Sequence, residues 1–221
     1  MPREDYRDSL DELRADVESM GTAVLDQLSR SLDALETDDR GLAREVIAGD
    51  ERVNRRYLDL ESDCIDLIAL QQPVASDLRF VAASFKILTD LERIADLATN
   101  LGEYAKEADR EVFPDVDVQR IGDDTLAMLD DAMAAYADSD PERCFAVAEA
   151  DNEVDAACEA ASELVVRDLI ERDELRDEED VEGTMQNVSR LLLTIRDLER
   201  VGDHAVNIAA RSLYMIENDD E

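Results

Sequence analysis

Two stretches of this sequence set a glutamate and an aspartate four residues apart within otherwise matching text. They are Asp90-Leu91-Glu92-Arg93-Ile94-Ala95-Asp96-Leu97-Ala98-Thr99-Asn100 and Asp197-Leu198-Glu199-Arg200-Val201-Gly202-Asp203-His204-Ala205-Val206-Asn207. Residues four apart on a helix are neighbours, with about 5–6 Å between their Cβ atoms. Glu92 therefore lies beside Asp96 and Glu199 beside Asp203, and Asn100 extends the first stripe. Adjacent carboxylates cost an isolated helix about 0.2–0.5 kcal/mol, and a cation seated between them removes that cost. A weaker echo joins Asp50-Glu51-Arg52-Val53-Asn54 to Asp151-Asn152-Glu153-Val154-Asp155. If Asp50 and Asn54 face Glu92 and Asp96 from a neighbouring helix, three carboxylates and an amide converge. An oxygen-only set of that kind suits Mg, Mn or Fe; Zn is possible, although it usually recruits His or Cys.

Chance is the first competitor, because a chain with 58 Asp and Glu residues contains spaced carboxylate pairs of no consequence, such as Glu159 and Glu163. Recurrence argues against it. An amphipathic face preserves only hydrophobicity, whereas here Asp, Glu, Arg and Asn recur in register, which implies a matched polar task or a recent duplication. Ion pairing is the second competitor: Arg93 and Arg200 could neutralise the carboxylates within or across helices.

The elements that must position these residues are long helices. Tyr6, Leu10, Leu13, Val17, Met20, Val24, Leu28, Leu32 and Leu35 fall at steps of mostly three and four, one buried stripe on a first helix. Thr37-Asp38-Asp39 is a cluster of capping residues, and a second stripe follows through Leu42, Val46, Val53, Tyr57, Leu60, Cys64, Leu67 and Ile68, closed by Pro73. Ser76 reads as the N-cap of a third helix with its inner stripe at Leu78, Val81, Phe85, Leu88, Leu91, Ala95, Ala98 and Gly102, ending before Pro114. The pattern then restarts. A fourth helix spans about Asp115 to Ala137, and Asp140-Pro141 supplies the cap and first residue of a fifth, which runs to about Arg172. The charged run from Glu171 to Asp180 faces solvent, either as a connector or as fused helix ends. A sixth helix repeats the third 107 residues on, through Val188, Leu192, Ile195, Leu198, Gly202, Ala205 and Ala209. The expected fold is thus all-α, two tandem three-helix units over residues 1–112 and 113–221.

Composition agrees and narrows the function. The 221 residues are 45% hydrophobic but only 4% aromatic, with no Trp, a mixture suited to packed helices. Formal net charge is −35, which repels nucleic-acid phosphate and excludes direct nucleic-acid binding. Its plain explanation is a halophilic surface, for molar salt screens self-repulsion over about 3 Å. Cys64, Cys144 and Cys158 are odd in number and lack C-x-x-C spacing, so they read as small core residues rather than a disulfide or zinc framework. With no apolar leader and no stretch of about 18 apolar residues, the expectation is a soluble, cytoplasmic protein that does not insert into membrane.

Catalysis finds little support. Ferritin-like di-iron enzymes use Glu-x-x-His motifs, and His204, the single histidine, follows Asp203 directly, about 100° round the helix. No glycine-rich strand-to-helix elbow offers a nucleophile. His204 reads as a packing or surface residue.

Gln71-Gln72-Pro73-Val74-Ala75-Ser76-Asp77-Leu78-Arg79 and the two acidic segments together resemble the PhoU family over nearly the whole chain. That resemblance implies two three-helix repeats whose twin E/D-x-x-x-D motifs bind metal ions, and a homodimeric negative regulator of phosphate uptake and homeostasis. It also implies partners among phosphate ABC transporter subunits, with a sensor or regulator protein besides. Carried over by motif, Glu92 and Asp96 with Asp50 form one metal site, Glu199 and Asp203 with Asp151 and Asp155 the other. Asn54 stands where the second copy has Asp155, which implies weaker binding at the first site. The sixth helix lacks a counterpart of the Gln72-Pro73 turn and carries Gln186 where the third has Arg79. The alternative reading is a metal-independent helical interaction module.

Overall fold

The computed structural model describes residues 3–71, 73, 75–107, 116–171 and 178–217. Among these described residues six helices follow in chain order: α1 (Arg3–Thr37), α2 (Arg40–Gln71), α3 (Ala75–Glu107), α4 (Val118–Asp138), α5 (Pro141–Glu171) and α6 (Glu178–Glu217). The fold is all-α, two three-helix repeats in one bundle. The expected repeat boundary and the charged run at 172–177 lie outside the described residues. Helix α3 begins at Ala75, which puts Ser76 inside its first turn rather than at the cap. Helix α4 starts at Val118 because Asp117 is its cap, its side chain accepting from the Arg120 N–H at 3.1 Å.

The turn between the first two helices of each repeat is built twice from the same parts. Asp38 and Ser139, 101 residues apart, both take the left-handed conformation, at φ 53° and 54°. The next amide reaches back to close the helix end, Asp39 N–H to the Ala34 carbonyl and Asp140 N–H to the Ala135 carbonyl, each at 3.1 Å. The same two aspartates then open the following helix, Asp39 Oδ1 accepting from Gly41 and Leu42, Asp140 Oδ1 from Glu142 and Arg143. Each cap contributes about 1 kcal/mol.

Helix α3 packs on α1, α2 and α6, helix α6 on α3, α4 and α5, and α1 touches α4. Among the described residues α2 and α5 are therefore outer helices, each covering only its own repeat. The α1 stripe is buried from Leu13 to Leu32, and Leu88, Leu91, Ile195 and Leu198 close the centre, each worth about 1.5–3 kcal/mol when removed from water. Two residues expected inside are not: Leu78 is 41% and Ile68 40% exposed, each near an end of its helix.

The α1–α4 contact is close enough to demand glycine. A Cβ on Gly21 would sit 2.5 Å from Met133 Cε, and one on Gly122 2.4 Å from Leu32 Cδ2. Arg14 completes the seam, donating to the Tyr136 carbonyl at 3.2 Å with its guanidinium 4.9 Å from the Phe80 ring centre.

Candidate functional site

Each repeat brings its acidic residues to the seam between its outer and central helix. In the first, Asp50 and Asn54 on α2 meet Glu92 and Asp96 on α3. Partial burial, then the charges of Asp96 and Asp50, raise the Glu92 pKa, while Arg93 and His204 pull it back. Burial and Asp50 raise that of Asp96. In the second, Asp151 and Asp155 on α5 meet Glu199 and Asp203 on α6. Burial first, then Asp155, Asp203 and Glu199, raise the Asp151 pKa, and burial followed by Asp155 and Asp203 raises that of Glu199. The mutual repulsion places all four carboxylates within electrostatic reach of one another. Helical i, i+4 spacing sets each pair, and the α2–α3 and α5–α6 packing brings the pairs together.

Hydrogen bonding separates the clusters. Each oxygen of Asp50 has a hydrogen-bond partner: Thr99 lies 3.1 Å from Oδ1, and the Asn54 amide donates to Oδ2 at 2.8 Å. Gln27 on α1 stands behind Thr99, donating to its hydroxyl at 3.0 Å and to the Ala95 carbonyl at 3.3 Å. At the second cluster Asp151 Oδ1 is buried with no hydrogen-bond partner. Beside it, Gly202 leaves open the place where a Cβ would stand 3.4 Å from that oxygen. The residues matching Gln27 and Thr99 are Met128 and Val206, which donate nothing.

Arg93 and His204 offset part of the repulsion at Glu92, and Arg200 turns away from the second cluster. Arg200 Nη1 lies 3.5 Å from Asp197, a fully buried side chain that also takes Arg196 at 3.0 Å, the Tyr104 hydroxyl at 2.9 Å and the Asn100 amide at 3.3 Å. Asn100 thus leaves the first carboxylate stripe and joins the α3–α6 crossing. Burial, the Asp197 hydrogen bond and its charge push the Tyr104 hydroxyl up to about 12. His204 is a buried packing residue, its Nδ1 2.9 Å from Asp90 Oδ1. Cys64, Cys144 and Cys158 are free and buried.

Sequence reasoning overlooked Gln27 and Thr99. Gln27 and Ser31 are polar residues standing three after Val24 and Leu28 within the apolar face of α1, and both are buried. A polar side chain at a core-facing step requires a buried partner, a signal the sequence did carry.

As a donor set the second cluster fits a hard cation, with four carboxylates and one orphaned buried oxygen. Like charges side by side lower their repulsion by turning outward, and Asp155, Glu199 and Asp203 are exposed. Accordingly, among the described residues no group of three or more His, Cys, Asp or Glu side chains stands in a geometry that would hold a metal ion. Inward rotation of these side chains is what such binding requires.

Fold and clusters together define a class: a duplicated three-helix bundle with one carboxylate cluster per repeat. The PhoU domain family matches residues 17–105 and 118–212, and the chain belongs to the PhoU family, which is not a family of enzymes. The phosphate-specific transport system accessory protein PhoU homolog of Pseudomonas putida is 32% identical, over 97% of this chain and 82% of that protein. The Caulobacter vibrioides protein of the same description is 36% identical, over 92% and 86%. The crystal structure of PhoU from Pseudomonas aeruginosa matches with a TM-score of 0.87 at 29% identity, covering 96% of this chain and 99% of that one. That of the phosphate transport system regulatory protein PhoU from Streptococcus pneumoniae gives 0.84 at 26% identity, covering 98% of each. Among the described residues no helix is long and apolar enough to cross a membrane.

Proposed function

We propose that this protein is a metal-binding negative regulator of phosphate uptake, acting through contacts with a phosphate transporter and its signalling partners. The observation that carries the metal is the second cluster, where Asp151, Asp155, Glu199 and Asp203 share one seam and Asp151 Oδ1 is buried without a partner. The phosphate role draws on the relatives, which are named as accessory proteins of phosphate-specific transport. In this reading the protein works as a homodimer in the cytoplasm. It reaches the membrane only through a transporter subunit, since a net charge of −35 is repelled by anionic headgroups. Cations at Asp50, Asn54, Glu92 and Asp96, and at Asp151, Asp155, Glu199 and Asp203, tie the outer helix of each repeat to its central helix. They also offer a coordination position to a partner's carboxylate or to phosphate. Mg, Mn and Fe suit the oxygen donors better than Zn.

Elemental analysis of protein purified without chelator tests the metal: Glu199→Gln with Asp203→Asn should lower bound metal by about half while circular dichroism is unchanged. Unaltered metal content ends the assignment. Pull-downs from high-phosphate cells, with and without chelator, test the partner. Recovery of transporter subunits only without chelator is the expected result, and no recovery in either condition removes the transporter from the reading. The alternative, a metal-independent interaction module, is favoured by the absence of a ready three-ligand geometry among the described residues; it predicts equal recovery in both.

A further inference from the structure

The helix face that carries each acidic cluster continues along its outer helix as an apolar stripe. On α2, steps of three and four lead from Asp50 and Asn54 through Leu58, Glu61 and Ile65 to Ile68, and the three apolar side chains are exposed. On α5 the same steps lead from Asp151 and Asp155 to Val166 and Ile170, the latter 78% exposed. The central helices add exposed Leu78 and Met185. Single exposed apolar residues are ordinary, but these recur. Ile65 and Val166 match across the 101-residue repeat, and Leu78 and Met185 across the 107-residue one. Their neighbours diverge, Asp66 against Arg167 and Asp77 against Thr184, so apolar character is kept at these positions and not over the whole face. Around Val166 and Ile170 the flank of α5 forms a groove of about 640 Å3, lined besides by three glutamates, Arg167 and Ser162.

We infer that each of these faces is the docking surface for a basic amphipathic helix of a partner protein, its apolar residues on the stripe and its Lys or Arg side chains over the carboxylates. The inference rests on the protein-contact part of the proposed function and needs no metal. Charge selects the occupant. Asp155, Glu199 and Asp203 are exposed and repel one another, and the neighbouring Arg200 turns to Asp197, so a partner's cations complement charges that this chain leaves open. A second copy would bring the same acid to the seam, at a net charge of −35 per chain. Length selects a helix. The α2 stripe from Asp50 to Ile68 is about 27 Å long at 1.5 Å per residue, which about five turns of a partner helix cover with anchors three and four residues apart.

The experiment is a calorimetric titration of the full chain with a synthetic peptide of about 18 residues, long enough to form a helix, with leucine along one face and lysine elsewhere. Two peptides per chain are expected, falling to one in Ile65→Gln with Ile68→Gln and to one in Val166→Gln with Ile170→Gln. Each pair is exposed and glutamine is a good helix former, so circular dichroism should not change. Should a pair fail to fold, Ile65→Gln or Val166→Gln alone carries the test. The altered site should lose at least about tenfold in affinity, and a peptide of the same composition shuffled to lack an apolar face should bind weaker than the parent peptide by a similar factor. A peptide with glutamate in place of lysine should not bind. Equal binding of the shuffled or the glutamate peptide, or variants that leave binding unmoved, overturns the surface. Sedimentation in which the same variants turn a dimer into monomers without peptide also overturns it, by making the stripe an interface between copies. Transporter subunits recovered by pull-down with no peptide bound overturn this surface alone, whereas peptide bound with no transporter recovered keeps the surface and removes the transporter.

Discussion

The α1–α4 seam and the α3–α6 seam join the same two repeats, one with matching steric seats and the other with unlike polar partners. At α1–α4, Gly21 seats Met133 and Gly122 seats Leu32, two contacts exchanged by the 101-residue repeat. At α3–α6, the matched aspartates Asp90 and Asp197 take unlike partners: His204 for the first, and Asn100, Tyr104, Arg196 and Arg200 for the second. Arg211, which stands where the first repeat has Tyr104, keeps a buried Nε with no partner. The difference has a physical source. Close packing fixes volume on both sides of a pseudo-symmetric contact, so a steric seat survives only if its mate survives. A buried acceptor needs a donor of any kind, so polar partners diverge freely once one is in reach. The carboxylate clusters diverge in the same way, through Gln27 and Thr99 against Met128 and Val206.

The largest effect expected from breaking this comparison is at the polar seam. Asp197→Ala removes the shared acceptor of the half-buried Tyr104 and Asn100 donors and the counter-charge of Arg196 and Arg200, and should cost about 3 kcal/mol, against about 1–2 kcal/mol for Asp90→Ala, which strands His204 alone. Urea unfolding measures both, and equal losses would show that partner number does not set the difference.

An intermediate effect belongs to the glycine seats. Gly122→Ala drives a methyl against Leu32, a branched side chain only 2% exposed. Overpacking there should exceed the gain in helix propensity of about 1 kcal/mol, for a net loss of about 1–2 kcal/mol. Gly21→Ala meets the terminal methyl of Met133, and an unbranched methionine yields. That variant should stay within about 0.5 kcal/mol of the parent. Equal losses at the two glycines would mean that side-chain flexibility is irrelevant to the seats.

The smallest effect sharpens the cluster comparison. A carboxylate whose pKa is raised on folding contributes stability that is full below its ordinary value and is lost as pH rises through the folded one. The ordinary values are 3.8 for Asp151 and 4.5 for Glu199, and both groups are shifted upward. In chelator, Glu199→Gln should therefore stabilise the protein at pH 7 by about 0.2–0.5 kcal/mol per relieved pair, with the gain fading towards pH 4. Glu92→Gln should gain less, because Arg93 and His204 already offset part of the repulsion. Thermal melts across that pH range decide it, and a gain that grows on acidification would contradict the sign.

Much of this was legible beforehand. Matched text at Asp90–Asn100 and Asp197–Asn207 located both i, i+4 carboxylate pairs, and the Asp50 and Asp151 segments named the facing helix. Less legible was where Asn100 and Arg200 would point, since both sit beside the motif in sequence but turn to Asp197 in space. His204 is a packing residue rather than a surface one, and its Asp90 partner lies 114 residues away.

The sequence by itself determined the six helices, the duplication, the capping aspartates and the pairing of acidic residues, because each follows from spacing within one turn or from repetition along the chain. Tertiary structure alone decided that Asp50 Oδ1 meets the Thr99 hydroxyl, 49 residues away, while Asp151 Oδ1 is bare. Gln27 of α1 backs Thr99 of α3 from 72 residues away, and such contacts are fixed by how helices cross, which local periodicity does not encode.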